Sequence, residues 1–350
     1  MRYQPEYDFL CNILHKMVNG QPVSRLTEGL NWDVLLKLAD YHELTPLFWR
    51  QLVLVRDKLP DGVKTELESR YYQAVYVQLI YMQEVERLIR CLADAGVQIV
   101  LLKGIRWAEE IYHEPGLRTF ADVDILIKAE ELKTTRRLLE GMGYKPETKA
   151  DESLFFKHHF HCHYFLPQPG LYLELHWGLS HPCRVKPDMD LVWSRVRRIK
   201  YGQQQVLALS PVDDLLHLAM HVGSHAFRSR LSWFLDFALL FRKYHLTFKD
   251  YHLRQTAEAF GCRRALAYCV LMAGNLCDRE ILNGSLADLA CWREHLLCRY
   301  ARRRTFFSQK SKTGLLFKYI LIDRLWLVLA FTMSRVRAHI AGLIWGLTVL

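Results

Sequence analysis

No CxxC pair occurs among the nine cysteines of this 350-residue chain, and their number is odd. Scattered thiols of this kind exclude a disulfide framework or a zinc knuckle as the scaffold, and they fit a reducing, cytoplasmic compartment. The opening residues, MRYQPEYDFLCNIL, lack an uninterrupted apolar core before small residues, so no secretory signal is expected. Long apolar runs are missing too. The cleanest stretches, 325–334 and 340–350, fall short of the ~20 residues a membrane span requires, and Lys318, Asp323, Arg324, Arg335, Arg337 and His339 interrupt the segment around them. What remains is a chain of 51% hydrophobic residues, enough for a sizeable core, at a length that suggests two domains.

Acidic residues are outnumbered, 37 against 47 basic, for a net charge of +10. Basic clusters occur at Arg195 to Lys200 and at Arg302, Arg303 and Arg304 with Lys310 and Lys312. Such surfaces gain affinity for polyanions by releasing counterions, which would suit RNA or a nucleotide triphosphate; a generic basic face is the commoner cause.

Along the chain, apolar residues recur at helical spacing through the first ninety or so positions, in WDVLLKLADYHELTPLFWRQL and from Val63 to Leu92. Pro60-Asp61-Gly62 separates the two patterns, and Ala95-Gly96 closes the second. Trp32, Tyr41, His42 and Trp49 read as packing residues. Strands and helices then alternate: VQIVLL, IRWAEEIY, DVDILI, AEELKTTRRLLEGM, LFFKHHFHCHYF and LYLELHW, the last two joined by Pro167-Gln168-Pro169-Gly170, a hairpin composition. Residues 181–210 read as a linker or a small extension of the sheet, with a strand pair around Tyr201-Gly202. Ser210 before Pro211, with Asp213 and Asp214, predicts a helix start; that helix carries His217, His221 and His225 at four-residue steps, and Arg228, Arg230, Trp233 and Asp236 follow.

Chemistry concentrates between Val97 and Asp124. Side chains alternate along a strand, so Asp122 and Asp124 share one face while Val123, Ile125 and Ile127 share the other. Two carboxylates aimed together call for a cation, and oxygen-loving Mg²⁺ carrying phosphates is the usual one. Upstream, Lys103-Gly104 ends a strand before a helix, where glycine lets backbone approach a phosphate and the helix N-terminus favours negative charge. In LYLELHW, Tyr172, Glu174 and His176 share a face opposite Leu171, Leu173, Leu175 and Trp177. Glu174 would join the aspartates if the strands are neighbours; otherwise it lies on a solvated strand face. His176 is placed to orient a carboxylate or touch phosphate, or to pack. The cluster His158, His159, His161 and His163 raises a metal reading, but no further ligand set follows at fixed spacing, so polar histidines on an edge strand are the preferred account.

LLKGIRWAEEIY followed by R-x3-DVDILI, then LYLELHW and LLHLAMHVGSHAFRSRLSWFLDFALL, resembles the uncharacterised bacterial nucleotidyltransferases of the polymerase-beta-like superfamily, over residues about 30 to 245. The resemblance implies an α+β fold with a small mixed sheet, flanked by N- and C-terminal helical regions. It implies Mg²⁺, or Mn²⁺ in its place, on Asp122, Asp124 and Glu174, the third carboxylate. It further implies phosphate contacts from Lys103, Gly104, Arg118, His176 and Arg230. Where the superfamily commonly has Gly-Ser, this chain has Lys103-Gly104 and no hydroxyl.

The expected activity is therefore transfer of a nucleoside monophosphate from NTP to an acceptor (small molecule, peptide or RNA) with release of pyrophosphate. The alternatives are a noncatalytic nucleotide- or RNA-binding protein of the same fold and a toxin-type tRNA nucleotidyltransferase. The expected layout is a helical cap (1–95), an α/β core (96–209), a helical domain (210–314) and an apolar helical tail (315–350). Packing on the domain or a partner is the first reading of the tail, and an interfacial pair of helices on an anionic membrane surface the second.

Overall fold

The computed structural model describes residues 4–147, 159–225, 229–246 and 251–278, with a few isolated positions beyond. His158, Arg228, the basic cluster at 302–312 and almost all of the 315–350 segment lie outside the described residues.

The helical spacing of the first ninety residues becomes α1 (Gln4–Val18), α2 (Trp32–Tyr41), α3 (Thr45–Gln51) and the 34-residue α4 (Asp61–Asp94). The Asn31 side chain caps α2 by accepting the Val34 N–H at 3.2 Å, and Pro46 sits in the first turn of α3, where its missing N–H costs no bond. Strands and helices then alternate: β1 (Val100–Leu101), α5 (Lys103–Glu110), β2 (Asp122–Leu126), α6 (Leu132–Gly141), β3 (Lys145–Pro146), β4 (His161–Leu166), β5 (Leu171–His176), α7 (Met189–Ser194), β6 (Arg197–Tyr201) and β7 (Gln204–Ala208). Helices α8 (Pro211–Ser224), α9 (Leu231–Lys243), α10 (Tyr251–Phe260) and α11 (Arg263–Leu276) follow. At the head of α8, the Ser210 side chain accepts the Asp213 N–H at 3.2 Å.

The seven strands form one mixed sheet in the order β3-β4-β5-β2-β1-β7-β6. β2 lies parallel to β5 and β1 parallel to β7, and the remaining pairs are antiparallel. The fold class is thus the α+β arrangement with a small mixed sheet. The strand pair around Tyr201-Gly202 extends the sheet beyond β1. β1 is shorter than the run VQIVLL, because only Val100 and Leu101 find ladder partners on β2.

Alternation along β2 and β5 separates two chemistries. Val123, Ile125, Leu171, Leu173 and Leu175 are fully buried in an apolar layer with Val85, Leu88, Ile89 and Leu92 of α4 and Leu139 of α6. Each such side chain contributes ~1.5–3 kcal/mol on burial. Five of them fix the register firmly, since a one-residue slip would turn every carboxylate of the opposite face into this layer. A second apolar cluster joins Val100, Leu102 and Leu126 to residues of α1–α3 and α8–α11. The polar face of the sheet lies on this second side.

Candidate active site

The parallel register of β2 and β5 sets Asp122 beside Tyr172, Asp124 beside Glu174, and Leu126 beside His176. Carboxylate oxygens of Asp122, Asp124 and Glu174 consequently lie within 4.8 Å of one another. The strands are neighbours, and Glu174 faces the site rather than open solvent. Asp124 is only 2% exposed.

Two cations are built into this face. Lys103, at the start of α5, places Nζ 3.3 Å from Asp124 Oδ1 and 3.3 Å from Nδ1 of His221 on α8. His176 Nε2 lies 3.1 Å from Asp124 Oδ1 and 3.2 Å from Glu174 Oε2. Burial disfavours a charged imidazole there, but the hydrogen bonds to Asp124 and Glu174 outweigh it and push His176 up to about 9. Burial likewise opposes charge on Lys103, yet Asp124, Asp122 and Glu174 hold its ammonium above the ordinary value. Burial would raise Glu174 too; the hydrogen bond and charge of His176 overcome it and hold this carboxyl well below the usual range. Asp122 behaves oppositely. Burial and the adjacent Asp124 charge push it up to about 7, against the pull of Lys103. Three carboxylates with two cations leave the face short of positive charge.

Gly104 follows Lys103 with φ +27° and ψ −100°, a break inside the first turn of α5 that a residue with a side chain would rarely adopt. Space alone does not demand glycine, since an added Cβ would meet Phe120 Cβ at 3.5 Å and the Asp122 carbonyl at 3.7 Å, ordinary contacts. The N-cap residue of α5 is Leu102, which offers no side-chain acceptor to the first turn.

Arg118 and Arg230 lie in a second charged group. Arg118 Nε donates to both oxygens of the buried Asp236, at 3.0 and 2.8 Å, while Tyr112 donates to the same carboxylate at 2.6 Å. Arg230 donates to the Tyr41 carbonyl at 3.0 Å and pairs with Glu43 at 3.1 Å; Glu43 also lies 3.7 Å from Arg118. Neither arginine forms an ion pair with Asp122, Asp124 or Glu174 among the described residues.

Three features of the site were not anticipated. His221 meets Lys103 across 118 residues of sequence. His217 is buried below it, and burial pushes its imidazole down to about 3. The fully buried Arg106 of α5 pairs with Asp214 of α8 and thereby seats α8 over the sheet. The four-residue histidine spacing and the Asp213-Asp214 pair were the only sequence signals for these contacts. Phe120 and Thr119 border a cleft of about 650 Å³ whose walls include Asp40, Glu43, Arg70 and Arg118 and none of the three carboxylates.

The family described as "Uncharacterised nucleotidyltransferase" matches residues 28–278. Similar solved structures include antibiotic-resistance factor ANT(2'')-Ia, 10% identical, covering 53% of this chain and 93% of that one at a TM-score of 0.36. An antigenic nucleotidyltransferase-like protein from Paracoccidioides brasiliensis is 20% identical over 51% of this chain and 86% of its own, with TM-score 0.34. Lincosamide antibiotic adenylyltransferase LnuA, lincomycin-bound, is 17% identical over 51% and 96%, with TM-score 0.29. No curated protein matches the chain.

Proposed function

The chain belongs to the uncharacterised nucleotidyltransferase family, and from that premise we propose that it moves a nucleoside monophosphate from NTP to an acceptor at the face carrying Asp122, Asp124 and Glu174, with release of pyrophosphate. The observation that carries this reading is the convergence of three carboxylates from two parallel strands within 4.8 Å.

The donor set fits a hard divalent cation. All three ligands are oxygens, and Asp122 resists ionisation in their company, which is the signature of a site short of positive charge. Mg²⁺, or Mn²⁺ in its place, would be held by Asp122, Asp124 and Glu174 and would supply Lewis-acid charge neutralisation for the triphosphate and the acceptor oxygen. Glu174, held below the usual carboxylate range by the hydrogen bond and charge of His176 against its burial, is suited to a ligand role. His176 orients Asp124 and Glu174 through its shared Nε2 contact. Lys103 pairs with Asp124 and stands at the head of α5; released from that carboxylate, it is placed to neutralise a phosphate. Backbone N–H groups around Gly104 are proposed to receive phosphate oxygens. Arg230 is the candidate for an outer phosphate. For Arg118, tied to Asp236, the proposed part is to hold the segment that leads into β2.

The test is transfer from α-labelled NTP with Mg²⁺ across a panel of small-molecule, peptide and RNA acceptors. Asp122→Ala and Asp124→Ala should each lower transfer by about 10²-fold or more; label transfer that survives both substitutions contradicts the assignment.

A further inference from the structure

The antiparallel register of β4 with β5 sets His161 beside His176 and His163 beside Glu174, on the same face as the carboxylates. The imidazoles of His161 and His176 therefore converge with Glu174, and His163 borders them. Nε2 of His161 and Nε2 of His163 are 3.2 Å apart, His163 Nδ1 is 3.6 Å from Glu174 Oε1, and His176 Nε2 is 3.2 Å from Glu174 Oε2. Ligand atoms of His161, Glu174 and His176 all lie within 4.8 Å of one another.

We infer that His161, His176 and Glu174, with His163 bordering them, form a site for a borderline divalent transition ion of the Zn²⁺ class, beside the all-oxygen site and sharing Glu174 with it. The argument is one of distance and donor type. A tetrahedral centre with ligand bonds of roughly 2.0–2.1 Å places neighbouring donors about 3.3 Å apart, close to the 3.2 Å between His176 Nε2 and Glu174 Oε2, with the His161 donor within 4.8 Å of both. Imidazole suits Zn²⁺, Co²⁺ and Ni²⁺, whereas Mg²⁺ takes oxygen ligands, so the two sites differ in the ion they select. A hydrogen-bonded histidine cluster is the competing account. It keeps the His176 Nε2 proton between Asp124 and Glu174, a proton that a metal would displace, so the two accounts differ in whether an ion is taken up. The further ligands that the histidine run lacked in sequence come from the neighbouring strand.

The inference shares Glu174 and His176 with the nucleotidyl-transfer reading, and the visible bands and the His161 and His163 variants test it apart from that reading. The probe is Co²⁺, titrated into the metal-free full chain with Mg²⁺ in excess and followed by its visible d–d absorption. One Co²⁺ per chain should bind with visible bands, and Zn²⁺ should abolish them. His161→Ala and His163→Ala should weaken binding by more than about 10–100-fold, the range for losing even an outer-shell partner. The His163 side chain is 42% exposed, so its removal leaves the core in place, with circular dichroism as the check. Asp122→Asn should keep the bands. Absent bands in the unmodified chain, bands unchanged in both histidine variants, or bands lost only on Asp122→Asn would each overturn the proposal.

Discussion

Asp122 is the residue on which the site's electrostatics turn. Burial and its neighbour Asp124 push it up to about 7 from an ordinary 3.8. Below that pH it carries a proton that must leave before a cation can bind, so proton and metal compete. Affinity for Mg²⁺ or Mn²⁺ is therefore expected to rise with pH between about 5 and about 7, by up to roughly tenfold per unit. Titration calorimetry in buffers of different ionisation enthalpy reads both the affinity and the released proton. A flat profile over that range would mean that Asp122 ionises like an exposed aspartate. Its pairing with Asp124 was legible in sequence because strand alternation puts residues two apart on one face; that Glu174 joins them rests on β2 lying beside β5, which alternation left open and the family resemblance implied. The contacts of Lys103 with Asp124 and His221, and the burial of His217, were not legible. They depend on contacts of α5 with β2 and, 118 residues along the chain, with α8, which no local period encodes.

At the scale of elements, the segment between α5 and β2 decides where Asp122 arrives. It is pinned at two points. Gly116, at φ +87°, packs so closely on α4 that an added Cβ would lie 2.6 Å from Val75 Cγ2 and 2.9 Å from its backbone nitrogen, and its N–H donates to Gln78 at 2.8 Å. Arg118 is then clasped by Asp236 of α9. Breaking a buried pair leaves an uncompensated charge, so Arg118→Ala should cost about 3–5 kcal/mol of stability. Arg230→Ala, whose side chain is 37% exposed, should cost under about 1 kcal/mol. Denaturant unfolding of both variants checks this, and equal small losses would remove the structural role given to Arg118. The long helices and the apolar strands followed from periodicity. β3 did not, since Lys145-Pro146 is two exposed residues with no pattern, and the ladder that makes it a strand comes entirely from β4.

For the whole molecule, the sheet divides an apolar layer under α4 and α6 from a mixed layer in which α8 and α9 close over the charged face. Burying that face makes its charges strong and costly, and it places the site where remote helices control it. The four-part division into cap, core, helical domain and tail stands as a proposal about folding units; the buried cluster shared by α1–α3 and α8–α11 is what such units would have to separate. Among the described residues no helix is long and apolar enough to cross a membrane. The central claim is that Asp122, Asp124 and Glu174 together hold a divalent cation with NTP. Electron paramagnetic resonance of Mn²⁺ titrated into the full chain with a nonhydrolysable NTP tests it most directly. The expected result is one bound Mn²⁺ whose affinity is raised by the nucleotide and falls at least about tenfold in Asp122→Ala and in Asp124→Ala; nucleotide-linked Mn²⁺ binding that is the same in both variants as in the unmodified chain would contradict it.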